Sequence, residues 1–233
     1  MNILAFGAHP DDIEYSVAGT LLKYKQQGHK IFIALATSGN TGSNEIPTRE
    51  EIAATREAEM KEAAKFYDAE LRFLRYDDER LFDCNQARTD VLDAIRWAQP
   101  DVIFTHAPTD PSPDHAAISK MVSAMMLSLP GKLQQATLPP CEKTPSLFFW
   151  EHGMGVNYLP EVYVDISDVF EIKKKALSMH KSQSAWMEVF GSGLTADIEK
   201  MNAFRGLQCG CEYAETFSAF RIHGYMPNFK LLP

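Results

Sequence analysis

Two short polar clusters hold the residue types that do acid–base and metal chemistry. The first, Ala8-His9-Pro10-Asp11-Asp12-Ile13-Glu14, follows an apolar run that ends at Gly7. The second, Asp110-Pro111-Ser112-Pro113-Asp114-His115, follows the run Val102-Ile103-Phe104-Thr105. Histidines and carboxylates brought together suit a catalytic zinc, which takes three N or O protein donors and keeps one position for water. His9 and Asp12 stand three residues apart, so one tight turn can aim both at a point. Asp11 then points elsewhere and stays free as a base. His115 supplies a third donor if the two clusters meet. Such an ion lowers the pKa of its bound water from ~15.7 toward about 7 and polarises a carbonyl. Zinc and iron(II) both accept two histidines and a carboxylate, so spacing alone does not choose between them. The structural alternative is plain: Asp and Pro are ordinary turn residues, and Asp114 is placed to cap the helix that follows.

The surrounding elements must bring these clusters together. Asn2 to Gly7 is a short apolar run ending in a polar loop, as a buried strand does. Val17, Leu21 and Tyr24 then mark one helix face, which Gly28 stops. Ile31 to Ala36 is a second strand, followed by the turn-rich stretch Thr37-Ser38-Gly39-Asn40-Thr41-Gly42. Thr48, with Glu51 three residues on, has the spacing of a capping box at the start of a long helix. Leu71 to Leu74 is a third strand, and Val91, Leu92 and Ile95 mark a helix ending before Pro100. The fourth strand, Val102 to Thr105, leads into the second cluster and then a helical stripe from Ile118 to Leu129. Strand and helix alternate four times, which predicts a single α/β domain over residues 1–233, with a Rossmann-like, parallel-rich sheet flanked by helices.

Ligands of such sheets bind at the carboxyl ends of the strands. If strands one and four are neighbours, the two clusters face each other there. Farther along, residues 130–145 read as a Pro-rich loop, Leu147 to Trp150 and Val162 to Ile166 as two strands, and Asp168 to Met179 as a helix. The run Lys173-Lys174-Lys175 reads as that helix's solvated face. Past it the periodicity fades. Gly191-Ser192-Gly193 lacks the Lys-Ser or Lys-Thr of a phosphate loop, and His223 has no motif context.

Composition limits the partners. The 233 residues carry 23 Lys and Arg against 31 Asp and Glu, a net charge of -8. An acidic chain without a basic stripe is a poor match for nucleic acid or an anionic membrane. No stretch is long and apolar enough to span a bilayer, and the first residues lack the pattern of a signal peptide. Cys84, Cys141, Cys209 and Cys211 form no disulfide framework. A cytoplasmic location is the simplest expectation.

From the first cluster onward the chain resembles the LmbE-like, or PIG-L, family of N-deacetylases. The resemblance is carried by Ala8 to Glu14 and by Pro113-Asp114-His115. Arg56 and Glu59, Asp78-Glu79-Arg80-Leu81, Ser182-Gln183 and Tyr213-Ala214-Glu215-Thr216-Phe217 support it, in order over almost the whole chain. It implies a Rossmann-like fold, and His9, Asp12 and His115 as ligands of a divalent metal, usually zinc. Asp11 would be the general base that activates water at the metal. Arg56 and Asp78 would contact an N-acetylglucosamine-type sugar substrate. It also implies a homo-oligomer, a trimer or hexamer.

One position departs from the family pattern. The second motif is His-Pro-Asp-His in well-studied members, and its first histidine assists the oxyanion; here that position is Ser112. A hydroxyl donates a hydrogen bond but is not cationic near neutral pH. Losing a charged donor beside an oxyanion typically costs ~10²–10³ in rate. The departure leaves four readings: a slower deacetylase, one in which another histidine takes the role, with His106, His152 and His180 as candidates, one that acts on a different substrate, or a catalytically impaired sugar- or small-molecule-binding protein on the same fold.

Overall fold

The computed structural model describes residues 1–188, 191, 193–222 and 224–233, and of Met154 only the backbone. Val189, Phe190, Ser192 and His223 lie outside the described residues, and with them the middle of the Gly191–Gly193 turn.

Seven strands form one sheet in the order β3-β2-β1-β4-β5-β7-β6. β1 (Asn2–Gly7), β2 (Lys30–Thr37), β3 (Glu70–Tyr76), β4 (Val102–His106) and β5 (Ser146–Trp150) run parallel. β6 (Val162–Asp165) and β7 (Ala214–Ala219) are antiparallel at one edge. Each central strand splits its apolar residues between two cores. In β1, Ile3 and Ala5 join one core while Leu4 and Phe6 join the other. That division is the period-two geometry of a strand buried on both faces, and it explains the unbroken hydrophobic runs in the sequence.

Helices cover both faces. α4 (Asn85–Ala98) and α5 (Pro113–Met125) contribute to one core. α1 (Asp12–Ser16), α2 (Ala18–Gln26), α3 (Arg49–Ala64), α6 (Phe170–Leu177) and α8 (Leu194–Cys209) contribute to the other. A further helix, α7 (Lys181–Glu188), precedes α8. The α3 cap forms as expected, Thr48 Oγ1 accepting from Glu51 N at 3.2 Å.

The helix expected after the first cluster is two helices that break at Val17, whose φ is -135°. The Glu215 carboxylate of β7 accepts from Gly19 N at 2.8 Å and Thr20 N at 2.7 Å, satisfying the start of α2 from across the chain. Gly19 is required there, because a Cβ would sit 2.7–2.9 Å from the Ile166 side chain. The same Glu215 corrects the expectation for the lysine run. Lys173 is 0 % exposed, and its Nζ lies 2.6 Å from Glu215 Oε1. Lys174 and Lys175 do face outward.

β1 and β4 pair directly, Phe6 opposite Thr105, so the two polar clusters emerge side by side at the carboxyl edge. Residues 130–145 contain neither helix nor strand. No helix among the described residues is long and apolar enough to cross a membrane.

Candidate metal centre and active site

The turn after β1 and the start of α5 bring His9, Asp12 and His115 together. His9 Nδ1 lies 3.0 Å from His115 Nε2. His115 Nε2 lies 3.4 Å from Asp12 Oδ1, and His9 Nδ1 lies 3.7 Å from Asp12 Oδ2. A tetrahedral ion with N and O donors at ~2.0–2.1 Å holds those donors about 3.3 Å apart, so the 3.0 Å between the two histidine nitrogens and the 3.4 Å from His115 Nε2 to Asp12 Oδ1 fit.

Each of these three side chains is oriented by a second group. Trp150 Nε1, which can only donate, reaches His106 Nδ1 at 3.2 Å, so the His106 proton sits on Nε2. That Nε2 donates to Asp12 Oδ2 at 3.0 Å. Asp12 Oδ2 also accepts from Ala8 N at 2.9 Å and His9 N at 2.7 Å. Asp12 Oδ1 therefore remains for an ion. His115 Nδ1 donates to Asp110 Oδ2 at 2.9 Å, and His9 Nε2 lies 2.9 Å from Asp78 Oδ1 and 3.1 Å from Asp114 Oδ2. These bonds leave His9 Nδ1 and His115 Nε2 facing each other as donors to a metal.

Asp114 does not cap α5 with its side chain. It is buried, and it accepts from Glu79 N at 2.7 Å and Leu81 N at 3.2 Å as well as from His9. Sequence reasoning missed Asp110 and His106 as supporting residues, although Asp110 belongs to the cluster it singled out.

The electrostatics favour positive charge at this point. Burial opposes the charged form of His9, yet Asp114, Asp12 and Asp78 raise its pKa well above the ordinary value. Burial likewise opposes the charged form of His115, but the Asp12 charge together with the bonds to Asp110 and Asp12 raises it to about 9. Asp12 is held well below the carboxylate range against its burial, chiefly by His115 and His106. The carboxylates that favour positive charge on these two rings equally favour a divalent cation between them.

Asp11 stands beside this centre with φ 115° and ψ -26°, a conformation rare for a residue with a Cβ. Burial raises its pKa and the Arg56 charge opposes the shift. Arg56 is 3 % exposed and lies 3.2 Å from Asp11 Oδ1 through Nη2. Asp78 spends Oδ1 on His9, while its Oδ2 accepts from Thr41 Oγ1 at 2.7 Å.

A cavity of about 970 Å³ opens over these groups. His9, Asp11, Asp12, Asp78, Ser112 and His115 line one end, and Tyr15, Trp150, Trp186, Met187, Leu194 and Met201 line apolar parts of its wall. Its size is that of a site for a sugar or a larger small molecule. Ser112 starts α5, makes no side-chain cap, and donates its backbone N to Asp110 Oδ1 at 3.0 Å.

The three alternative histidines differ in place. His106 is committed to Asp12 and Trp150. His180 is fully buried, with Nε2 3.0 Å from Glu14 Oε2. His152 lines the cavity, but its Nδ1 donates to Gly153 O at 3.1 Å and its Nε2 is buried without a partner among the described residues.

Fold and site together define a doubly wound α/β protein with a His/Asp centre able to hold a metal at its carboxyl edge. The chain belongs to the PIG-L family, described as GlcNAc-PI de-N-acetylase, whose model matches residues 4–126. It is 30% identical over 197 residues to the probable N-acetyl-alpha-D-glucosaminyl L-malate deacetylase 2 of Bacillus cereus, across 80% of this chain and 85% of that protein. It is 27% identical over 191 residues to diacetylchitobiose deacetylase of Thermococcus kodakarensis, across 78% of this chain and 69% of that protein. The structure of N,N'-diacetylchitobiose deacetylase from Pyrococcus horikoshii, complexed with its inhibitor, shares the fold with a TM-score of 0.82 and 24% identity, covering 99% of this chain and 88% of that one. The homologues are deacetylases.

Proposed function

We propose that the chain is a zinc-dependent N-deacetylase that cleaves the acetyl amide of an N-acetylglucosamine-type sugar or sugar conjugate. The observation that carries this is the convergence of one donor atom each from His9, Asp12 and His115 within 4.8 Å of one another, beside the carboxylate of Asp11. The deacetylase names of the homologues supply the reaction class. His9 Nδ1, Asp12 Oδ1 and His115 Nε2 would hold zinc, or iron(II), and the ion would supply Lewis acidity toward a carbonyl and a water more acidic by several pKa units.

The protein groups then divide the work. Asp11 Oδ1 is tied to Arg56, so Oδ2 takes the proton from the attacking water. A C–O bond forms at the acetyl carbon, the C–N bond breaks, and the proton passes from Asp11 to the leaving nitrogen. Acetate and a free amine result. The carboxylates behind the two histidines hold both rings with their lone pairs inward throughout. Asp78 and Arg56 both line the cavity beside the His/Asp centre and are the proposed sugar contacts.

Acetate release from N,N'-diacetylchitobiose and from an N-acetylglucosaminyl malate tests the reading. Release that stops with a chelator and returns with zinc is expected. Sugar binding seen as a thermal shift, without acetate from any N-acetyl sugar offered, would instead establish a binding protein impaired at Ser112.

A further inference from the structure

Arg56 reaches from α3 into the turn that presents Asp11. Its Nη2 donates to Pro10 O at 2.6 Å and to Asp11 Oδ1 at 3.2 Å, while Nη1 donates to Gly39 O at 3.0 Å. One nitrogen thus holds both the carbonyl that precedes Asp11 and the carboxylate that follows from its Cβ. The φ of Asp11, 115°, lies outside the regions open to ordinary L residues. Such a backbone persists only where its surroundings over-determine it, and these strained residues concentrate where geometry serves chemistry.

The second loop is shaped around the same guanidinium. A Cβ on Gly39, whose φ is 60°, would come 2.3–2.7 Å from Arg56, and one on Gly42 would come 2.9 Å from its Nη1. Thus Gly39 and Gly42 in the turn after β2 make room for Arg56. The side chain is 3 % exposed and spends three of its five N–H donors on these protein acceptors.

We infer that Arg56 is a positioning residue for Asp11, a fork that fixes the Pro10–Asp11 peptide and the base carboxylate in one pose. The inference rests on the proposed reaction for the role of Asp11, and on bond geometry for the clamp. Lysine cannot replace it, because a single ammonium lacks the planar fork needed to span Pro10, Asp11 and Gly39.

Arg56→Lys and Arg56→Met test it, each checked by thermal melting, with Lys keeping the buried charge should Met fold poorly. In crystal structures of the zinc-loaded variants, the Pro10–Asp11 turn is expected to relax to negative φ or to swing the carboxylate away. A turn unchanged from the wild type would overturn the clamp. In turnover of N,N'-diacetylchitobiose, kcat should fall by ~10², the cost of a misplaced catalytic group. The zinc content should stay near one ion per chain, and kcat should fall by more than KM or the calorimetric Kd for glucosamine rises. A rise of about tenfold in KM or Kd with kcat retained would make Arg56 a sugar ligand and end the inference. Wild-type protein that releases no acetate would sink the deacetylase reading, while the crystallographic pose of Asp11 would still decide the clamp.

Discussion

His106 donates from Nε2 to Asp12 Oδ2 across 3.0 Å, and Trp150 fixes the tautomer that makes this bond. The bond occupies the outer oxygen of Asp12 and leaves the inner one to a metal. Partners of this kind typically contribute 10–100-fold in metal affinity when removed. His106→Phe should therefore keep the fold and lose zinc affinity by ~10–100-fold, measured by competition with a chromophoric chelator. Affinity equal to wild type would show that the two backbone donors at Asp12 Oδ2 suffice alone.

Asp11 differs from its neighbour in what it touches. Its carboxylate meets Arg56 and belongs to none of the candidate metal-binding groups among the described residues. Removing it should leave metal content near one ion per chain while kcat drops by ~10²–10⁴, the usual contribution of a positioned base. Asp11→Ala, assayed by acetate release beside elemental analysis, separates the two roles. Loss of the metal along with the activity would place Asp11 among the ligands.

Much of this centre is legible in the sequence, for a physical reason. Strands β1 and β4 are buried on both faces, so their runs are apolar without interruption and their ends are marked by the first polar residues. His9, Asp11, Asp12 and His115 stand at those ends. What supports them was not legible. Asp110 and His106 matter because of what lies across the sheet edge, and no spacing along the chain encodes that. The C-terminal third was harder still. In β7, Glu215 and Thr216 are buried, and Asn202 and Arg205 are buried on α8. Buried polar residues break the hydrophobic period, and their partners are known only once the chain has folded. The antiparallel insertion of β7 between β5 and β6 was missed for that reason.

The Glu14–His180 pair gives the fold a pH dependence. Both residues are fully buried, and burial alone would lower the histidine pKa. The bond to Glu14 and its charge raise it above the ordinary value near 6.5 instead. A raised folded pKa contributes stability that is fully present below the unfolded value and is lost as pH rises through the folded one. Glu14→Gln removes that contribution. The difference in urea unfolding free energy between wild type and this variant should be largest below pH 6.5 and shrink as pH rises above it. A difference that grows with pH would mean His180 is neutral in the fold.

Lys173 and Glu215 carry the last prediction. Their charges meet at 2.6 Å with both side chains fully buried, and Glu215 also satisfies Gly19 N and Thr20 N at the start of α2. Removing one partner from a buried pair leaves the other charge desolvated and unpaired, which typically costs 3–5 kcal/mol. Lys173→Met should therefore lower the urea unfolding free energy by about 3–5 kcal/mol. Glu215→Gln in the Lys173→Met background should recover part of it, since it removes the unpaired charge, while the single amide oxygen keeps an acceptor for one of the two α2 amides. The zinc content of folded protein should not change in either variant, because the pair sits away from the cavity wall formed by His9, Asp12 and His115. A single variant as stable as the wild type would mean that water reaches Glu215 and that the burial of this pair is not what holds β7 to α2.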